Sequence, residues 1–268
     1  MEKQYLIYKI TGGLCHMLWQ INNTIYLSKT TNRSLIIDCF SNAFCDDFNR
    51  YFNIPDFNYS TKYDCLYQDE SLDKETFEPF IKSVAQCVGS DYFLNKKLLV
   101  DNINDVIKSN DKIVYCTWMK NVKEIDIPWY IKLNKDIFEK ISVNKINEKY
   151  IGIHYRNTDM KHRLEDFIPK IHELSTETNT IYLGSDDSTA FDRLNTLLNN
   201  KFKIIQYTKP MNYNGQNIHY SNPNKYEVTM NGLTDMYHLT YATHFIPSVN
   251  SSFSRRIMLL RAKDNFFN

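Results

Sequence analysis

The sequence predicts an α/β protein built from two Rossmann-like halves, and three observations carry that prediction. A short apolar strand, a glycine pair, a helical pattern and a second strand open the chain as one β-loop-α-β unit. From Tyr150 onward apolar runs alternate with amphipathic segments to the end, which implies a parallel sheet covered on both faces. The chain has 268 residues, enough for two compact domains that each bury their own core.

The elements follow in order. "YLIYKI" (5–10) reads as the first strand. Gly12 and Gly13 then lead into a helix whose Leu14, Leu18, Ile21 and Ile25 share one face. Asn32 is placed to end that helix, and "SLIIDC" (34–39) is the second strand. Residues 40–110 mix acidic and aromatic segments, with helices expected around 73–90. "KIVYCTW" (112–118) is another strand, and 130–147 carries a helical pattern through Ile131, Ile137, Phe138 and Ile141. The second half reads as strand 150–155, helix 165–175, strand 179–184, helix 188–199 and strand 202–207. After a long loop holding Pro210, Gly215 and Pro223 come helix 234–242, strand 244–249 and a closing helix from about Ser252. The expected domains are 1–130 and 131–268.

Composition narrows the function classes. A formal net charge of +1 gives no global field to recruit nucleic acid or a membrane surface, so any anion must be held by a local site. No apolar run reaches the ~18–20 residues of a membrane span. The N-terminus lacks the apolar stretch of a signal peptide, so a soluble, cytoplasmic protein is expected. The six cysteines, Cys15, Cys39, Cys45, Cys65, Cys87 and Cys116, form no C-x-x-C pair, which argues against zinc and for free buried thiols.

In a parallel sheet ligands sit beyond the carboxyl ends of the strands, so the residues that follow each strand are the candidates for chemistry. "IGIHYRNTDMKH" (151–162) ends an apolar run in a cluster of titratable groups. Arg156 is placed to grip a diphosphate bidentately, or else to pair with a helix-terminal carboxylate such as Asp166. His154 shares its face by the strand period of two, and Asp159 leaves the same strand end. "IYLGSDD" repeats the arrangement: one of Asp186 and Asp187 serves to cap the next helix, leaving the other for a base or ribose. "SVNSSFSRR" sets Ser251, Ser252 and Ser254 at a helix N-terminus, either as phosphate donors or as a multi-serine cap. Neither the G-x-G-x-x-G nor the P-loop fingerprint is present, and there is no D-x-D triplet to hold a cation. Charge neutralisation by Arg156 without a metal or other cofactor is the consistent expectation.

These blocks resemble the motifs of GDP-fucose-dependent fucosyltransferases, particularly the α-1,6 group that includes the nodulation enzymes. "GIHYRNTD" is similar to the H-x-R-x-T-D segment, "IYLGSDD" to the apolar strand ending in (A/G)-(T/S)-D-D, and "VNSSFSRRIMLL" to the third motif. "TGGLCHMLWQ…TTNRSLIID" resembles the family's glycine loop, L-W pair and T-x-R-T-L-x-I-D block. The four blocks fall in family order, whereas residues of about 40–145 match nothing in it.

The resemblance implies a GT-B-like fold, two α/β domains facing a cleft, and an inverting transfer from a GDP-sugar to a glycan hydroxyl. Carried over by motif, Arg156 contacts the diphosphate, His154 and an aspartate of Asp186-Asp187 hold the nucleoside, and Ser251 to Ser254 line the phosphates. Gly12 and Gly13 let the first loop approach the donor from the opposite domain, which would also supply the acceptor side. Glu165, Asp159 and His16 compete for the general base, and Glu165 reads equally as an ordinary first-turn helix acid. The chain departs from the family at Asn157, where the α-1,6 enzymes carry a second arginine. It departs also at Met160, which displaces the expected lysine to Lys161, and at Cys15 and His16 in the first loop. Acceptor and sugar stay open, GDP-rhamnose or another GDP-deoxyhexose being the alternative donor. A nucleotide- or glycan-binding module without catalysis is the alternative from another class. Tyr213, His219 and Tyr220 are candidates for stacking on sugars.

Overall fold

The computed structural model describes residues 3–10, 12–39, 46–72, 75, 103–116, 128–157, 162–209, 224–262 and 266–267. The chain divides into two compact units, Met1–Asn134 and Lys135–Asn268. The segment expected to be helical around 73–90 lies almost wholly outside the described residues, as do Tyr213, His219 and Tyr220.

In the first unit β1 (Tyr5–Lys9) is buried at every position and pairs in parallel with β2 (Ser34–Asp38) on one side. β5 (Ile113–Cys116) pairs with it on the other. β2 in turn pairs in parallel with β4 (Tyr59–Ser60), so the order is β4-β2-β1-β5. A short antiparallel pair joins β3 (Phe52–Asn53) to β6 (Lys132–Leu133). Helix α1 (Leu14–Thr31) connects β1 to β2 and stops where expected: Asn32 takes the left-handed conformation at φ 51 and its N–H donates to the Ser28 carbonyl. Helix α1 also buries Gln20, Asn22, Asn23 and Thr24, which its apolar spacing does not announce. Asn22 explains itself, because its amide donates to the Pro128 carbonyl at 2.9 Å and accepts the Tyr130 N–H at 2.7 Å, taking the place of a neighbouring strand. A 3₁₀ turn (Phe48–Arg50) and two short helices, α2 (Asp64–Tyr67) and α3 (Ile103–Lys108), complete the described elements of this unit.

The second unit begins with α4 (Lys135–Ser142) and holds four parallel strands, β7 (Ile151–Tyr155), β8 (Thr180–Ser185), β9 (Lys203–Ile205) and β10 (His244–Ile246). Their order is β10-β7-β8-β9. A 3₁₀ turn (Leu164–Phe167) and α5 (Ile168–Leu174) link β7 to β8, and α6 (Ala190–Leu197) links β8 to β9. These cover one face with a core that includes Ile151, Ile153, Ile171, Ile181, Leu183 and Leu194. α7 (Lys225–Tyr241) covers the other face and returns the chain to β10, and α8 (Ser252–Ala262) packs beside α7.

Gly152 and Gly184 let α7 lie against the sheet. A Cβ on Gly152 would stand 2.8 Å from the Ala242 Cβ, and one on Gly184 would stand 2.9 Å from the Leu239 Cδ1. Because the chain runs β7, β8, β9 outward and then jumps back across β7 to β10, the topological switch point lies between β7 and β10. In open parallel sheets that crevice, at the carboxyl ends of the strands, is where ligands bind. Four free cysteines are found among the described residues, Cys15, Cys39, Cys65 and Cys116. No described helix is long and apolar enough to cross a membrane.

Candidate functional site

The switch point of the second unit carries a continuous polar network. Strand β7 brings His154 to its buried end, where Nδ1 lies 2.7 Å from the Ser254 hydroxyl and the ring packs at 4.9 Å on Phe253. Burial, reinforced by the nearby Arg156 and His162, pushes the His154 imidazole down to about 3, so it is neutral at any working pH. The Ser254 oxygen already accepts the Ser248 N–H at 3.0 Å. Either its second lone pair or its own hydrogen can face Nδ1; when the hydroxyl donates, the ring proton lies on Nε2 as a donor. Ser248 closes the circuit, its hydroxyl donating to the His154 carbonyl at 2.7 Å and accepting the Arg156 N–H at 3.0 Å. Two strand ends and the first turn of α8 are thereby locked together.

Arg156 follows directly. Its side chain is 20% exposed, and Nε lies 4.0 Å from Oδ2 of Asp186, itself 21% exposed. Asn157 ties β7 to β8. Its N–H donates to Asp186 at 2.7 Å and its side-chain amide donates to Asp187 at 2.8 Å. Asp187 caps the turn before α6 by accepting the Thr189 N–H and hydroxyl at 2.9 and 2.7 Å. Burial alone would push the Asp187 carboxyl up. The bonds from Thr189 and Asn157 and the Arg193 charge outweigh it and hold the group below the ordinary carboxylate range. The two aspartates thus divide labour as the sequence allowed: Asp187 is the cap, and Asp186 is the more open carboxylate.

The serine motif is similarly split. Asn250 adopts φ 60 ahead of α8, and the Ser251 hydroxyl accepts the Ser254 N–H at 3.4 Å. Ser252 is exposed at the first helical position, while Ser254 is buried and turned to His154 and Ser248. Glu165 sits in the 3₁₀ turn, 45% exposed, 3.9 Å from Arg163 and 3.9 Å from Arg193. Asp159 lies outside the described residues.

Gly12, Gly13 and His16 belong to the first unit. Gly12 takes φ +77, and a Cβ there would stand 3.0 Å from the His16 ring, so the turn requires glycine. Gly13 is the extended residue that precedes α1. Burial pushes His16 down to about 4.

Three residues of the site escaped the sequence reading. Ser248 was passed over between an apolar strand and a serine run. Arg193 on α6 reaches Asp187 at 3.6 Å, Glu165 at 3.9 Å and the Tyr155 hydroxyl at 3.5 Å. Asp235 on α7 accepts from the Tyr182 and Thr208 hydroxyls at 2.7 and 2.9 Å. Burial, helped by the Asp186 charge and opposed by those two bonds, pushes the Asp235 carboxyl up to about 7. The sequence shows only that Asp235 falls four residues before Leu239 and so shares its helix face; that this face meets Gly184 is given by the structure. Among the described residues no group of three or more His, Cys, Asp or Glu could hold a metal ion.

No protein-family model matches the chain, and no curated protein matches it. Solved structures do. The α-1,6-fucosyltransferase NodZ soaked with GDP-fucose aligns over 97% of this chain and 93% of its own, at TM-score 0.65 and 19% identity. NodZ from Bradyrhizobium aligns over 97% and 94%, at TM-score 0.66 and 19% identity. POFUT1 in complex with GDP aligns over 95% and 93%, at TM-score 0.55 and 10% identity. The mixed α/β fold with parallel sheets is therefore that of the GT-B fucosyltransferases.

Proposed function

We propose that this chain is a glycosyltransferase that moves fucose from GDP-fucose to a glycan hydroxyl, with inversion and without a metal. One observation carries the reading. At the switch point between β7 and β10, hydrogen bonds join a neutral buried histidine, the first turn of α8, Ser248 and the Arg156 N–H, and the open Asp186 carboxylate stands 4.0 Å from the Arg156 guanidinium. That set suits a nucleoside diphosphate: a guanidinium and helix N–H groups for the phosphates, an imidazole donor and Asp186 for the nucleoside. Asp235 adds a carboxyl oxygen to the same end of β8. The likeness to structures soaked with GDP-fucose or bound to GDP supports the same donor class.

In the proposed reaction an acceptor oxygen attacks the anomeric carbon while the bond from that carbon to the β-phosphate oxygen breaks. GDP leaves with the electron pair, through an oxocarbenium-like state. Arg156 and the N-terminus of α8 take up the charge that develops on the diphosphate, so fixed electrostatics lower the barrier. The acceptor proton goes to a base, for which Glu165, Asp159 and His16 remain the candidates. The N-terminal domain, taken from sequence as 1–130, is assigned the acceptor side with its glycine loop, and the C-terminal domain, 131–268, the GDP-sugar.

A second reading is favoured by Asn157. Its side-chain amide donates to Asp187 and its backbone N–H to Asp186, which leaves the site with one cation fewer than an arginine here would give, as a binding module without turnover would allow. GDP release from GDP-fucose and GDP-rhamnose, with and without acceptor sugars, separates the readings. Acceptor-dependent release supports transfer, and tight GDP binding with no release from either donor supports the binding module.

A further inference from the structure

Outside the switch point, the described residues hold a buried ion pair that the transfer chemistry does not use. Lys9 and Asp38 end β1 and β2 and are direct partners in the parallel register, so their side chains leave the same face of the sheet. Nζ and Oδ2 are 3.1 Å apart, with the two side chains 0% and 3% exposed. The Tyr63 hydroxyl donates to the same Asp38 oxygen at 2.7 Å. The Asp38 carbonyl also accepts the Ile10 N–H at 3.0 Å, so one residue holds the exit of β1 by both its side chain and its backbone.

Removing two charges from water at this depth costs more than a hydrophobic pair of the same volume would, and a pair so placed adds little net stability. What it does supply is geometry. A cation and an anion with a shared hydroxyl have one good arrangement, whereas apolar side chains have several. The chain fixed in this way runs immediately into Gly12, in its left-handed conformation, and the His16 ring beside it.

We propose that Lys9, Asp38 and Tyr63 form a positioning device that fixes where β1 hands over to the glycine loop and the first turn of α1. None of the three is a catalytic residue. Their kinetic consequence rests on the transferase reading above, in which that loop serves the reacting sugar. Their structural consequence does not.

The test is the double variant Lys9→Met/Asp38→Leu, which fills the space without charges. It should melt at or above the temperature of the natural protein and bind GDP equally well. Its kcat for transfer should fall by about 100-fold, the scale on which a misplacement of about 1 Å is felt. Amide exchange at Ile10 and Met17, whose N–H groups are held by the Asp38 and Gly13 carbonyls, should quicken by at least about tenfold while that of β7 and β8 is unchanged. If the double variant folds with natural exchange at those amides and natural kcat, the inference is overturned. Should the natural protein transfer no sugar, the transferase reading fails, and the exchange arm alone decides the inference. Should the double variant not fold, Tyr63→Phe keeps both charges and serves in its place. Faster exchange at the same amides supports the device, and unchanged exchange overturns it.

Discussion

Asp235→Asn isolates the most strongly perturbed carboxyl near the site. Its folded-state value of about 7 compares with an ordinary value of 3.8. Between those limits the folded protein keeps a proton that the unfolded chain has released, so stability falls as pH rises from about 4 to about 7. About three pKa units at 1.36 kcal/mol each put the cost near 4 kcal/mol, complete by pH 8. Asparagine cannot ionise, yet its carbonyl oxygen still accepts from Tyr182 and Thr208. The variant should therefore lose ground to the natural protein at pH 4 and gain on it steadily up to pH 8. His154, pushed the other way, contributes stability that is lost as pH falls below 6.5, but it is common to both proteins and cancels in the difference. Urea midpoints measured in parallel from pH 4 to 8 give that difference directly. A difference that stays flat with pH would show that Asp235 titrates in the folded protein as it does in the unfolded chain, and the reasoning from its burial would be wrong.

Three further outcomes follow from the same geometry. Gly152→Ala drives a methyl into Ala242 across 2.8 Å, which should cost about 1–3 kcal/mol in a thermal melt, and an unchanged melt would mean that α7 does not lie directly on β7. Ser254→Ala strips the hydroxyl shared by His154 and the Ser248 N–H, with an expected cost of about 1–3 kcal/mol and weaker GDP binding; undiminished affinity would detach His154 from the donor site. Exhaustive chelation should leave the transfer rate unchanged, and a strict requirement for Mg²⁺ or Mn²⁺ would contradict the metal-free mechanism.

Much of the second unit was legible because its strands are buried on both faces. "IGIHY" and "TIYLGS" read as unbroken apolar runs ending in polar residues, and both became strands of nearly the expected extent. Helix α7 was foreseen only from 234, whereas it begins at Lys225. Gly232 and a mixed polar stretch hid its first half, although Asn224 accepting the Glu227 N–H is a capping signature present in the sequence. Strand β10 ends at Ile246 rather than 249, because the chain turns there to bring Ser248 under β7.

The site was legible as residue types at strand ends. Its wiring was not. The division between Asp186 and Asp187 depends on which one faces Thr189, and Arg193 meets Glu165 and Asp187 only through the packing of α6. A carboxylate in a helix such as Asp235 reads as solvated until a glycine on the facing strand is known to admit it.

The central claim is that the switch point between β7 and β10 grips the diphosphate of a guanosine sugar nucleotide through Arg156. Calorimetric titration of GDP into the natural protein and into Arg156→Ala tests it most directly. The natural protein should bind GDP, and the variant should bind at least about tenfold more weakly with its melting temperature unchanged, as loss of a charge-assisted contact requires. Equal GDP affinity in the two proteins, or no binding by either, would contradict it.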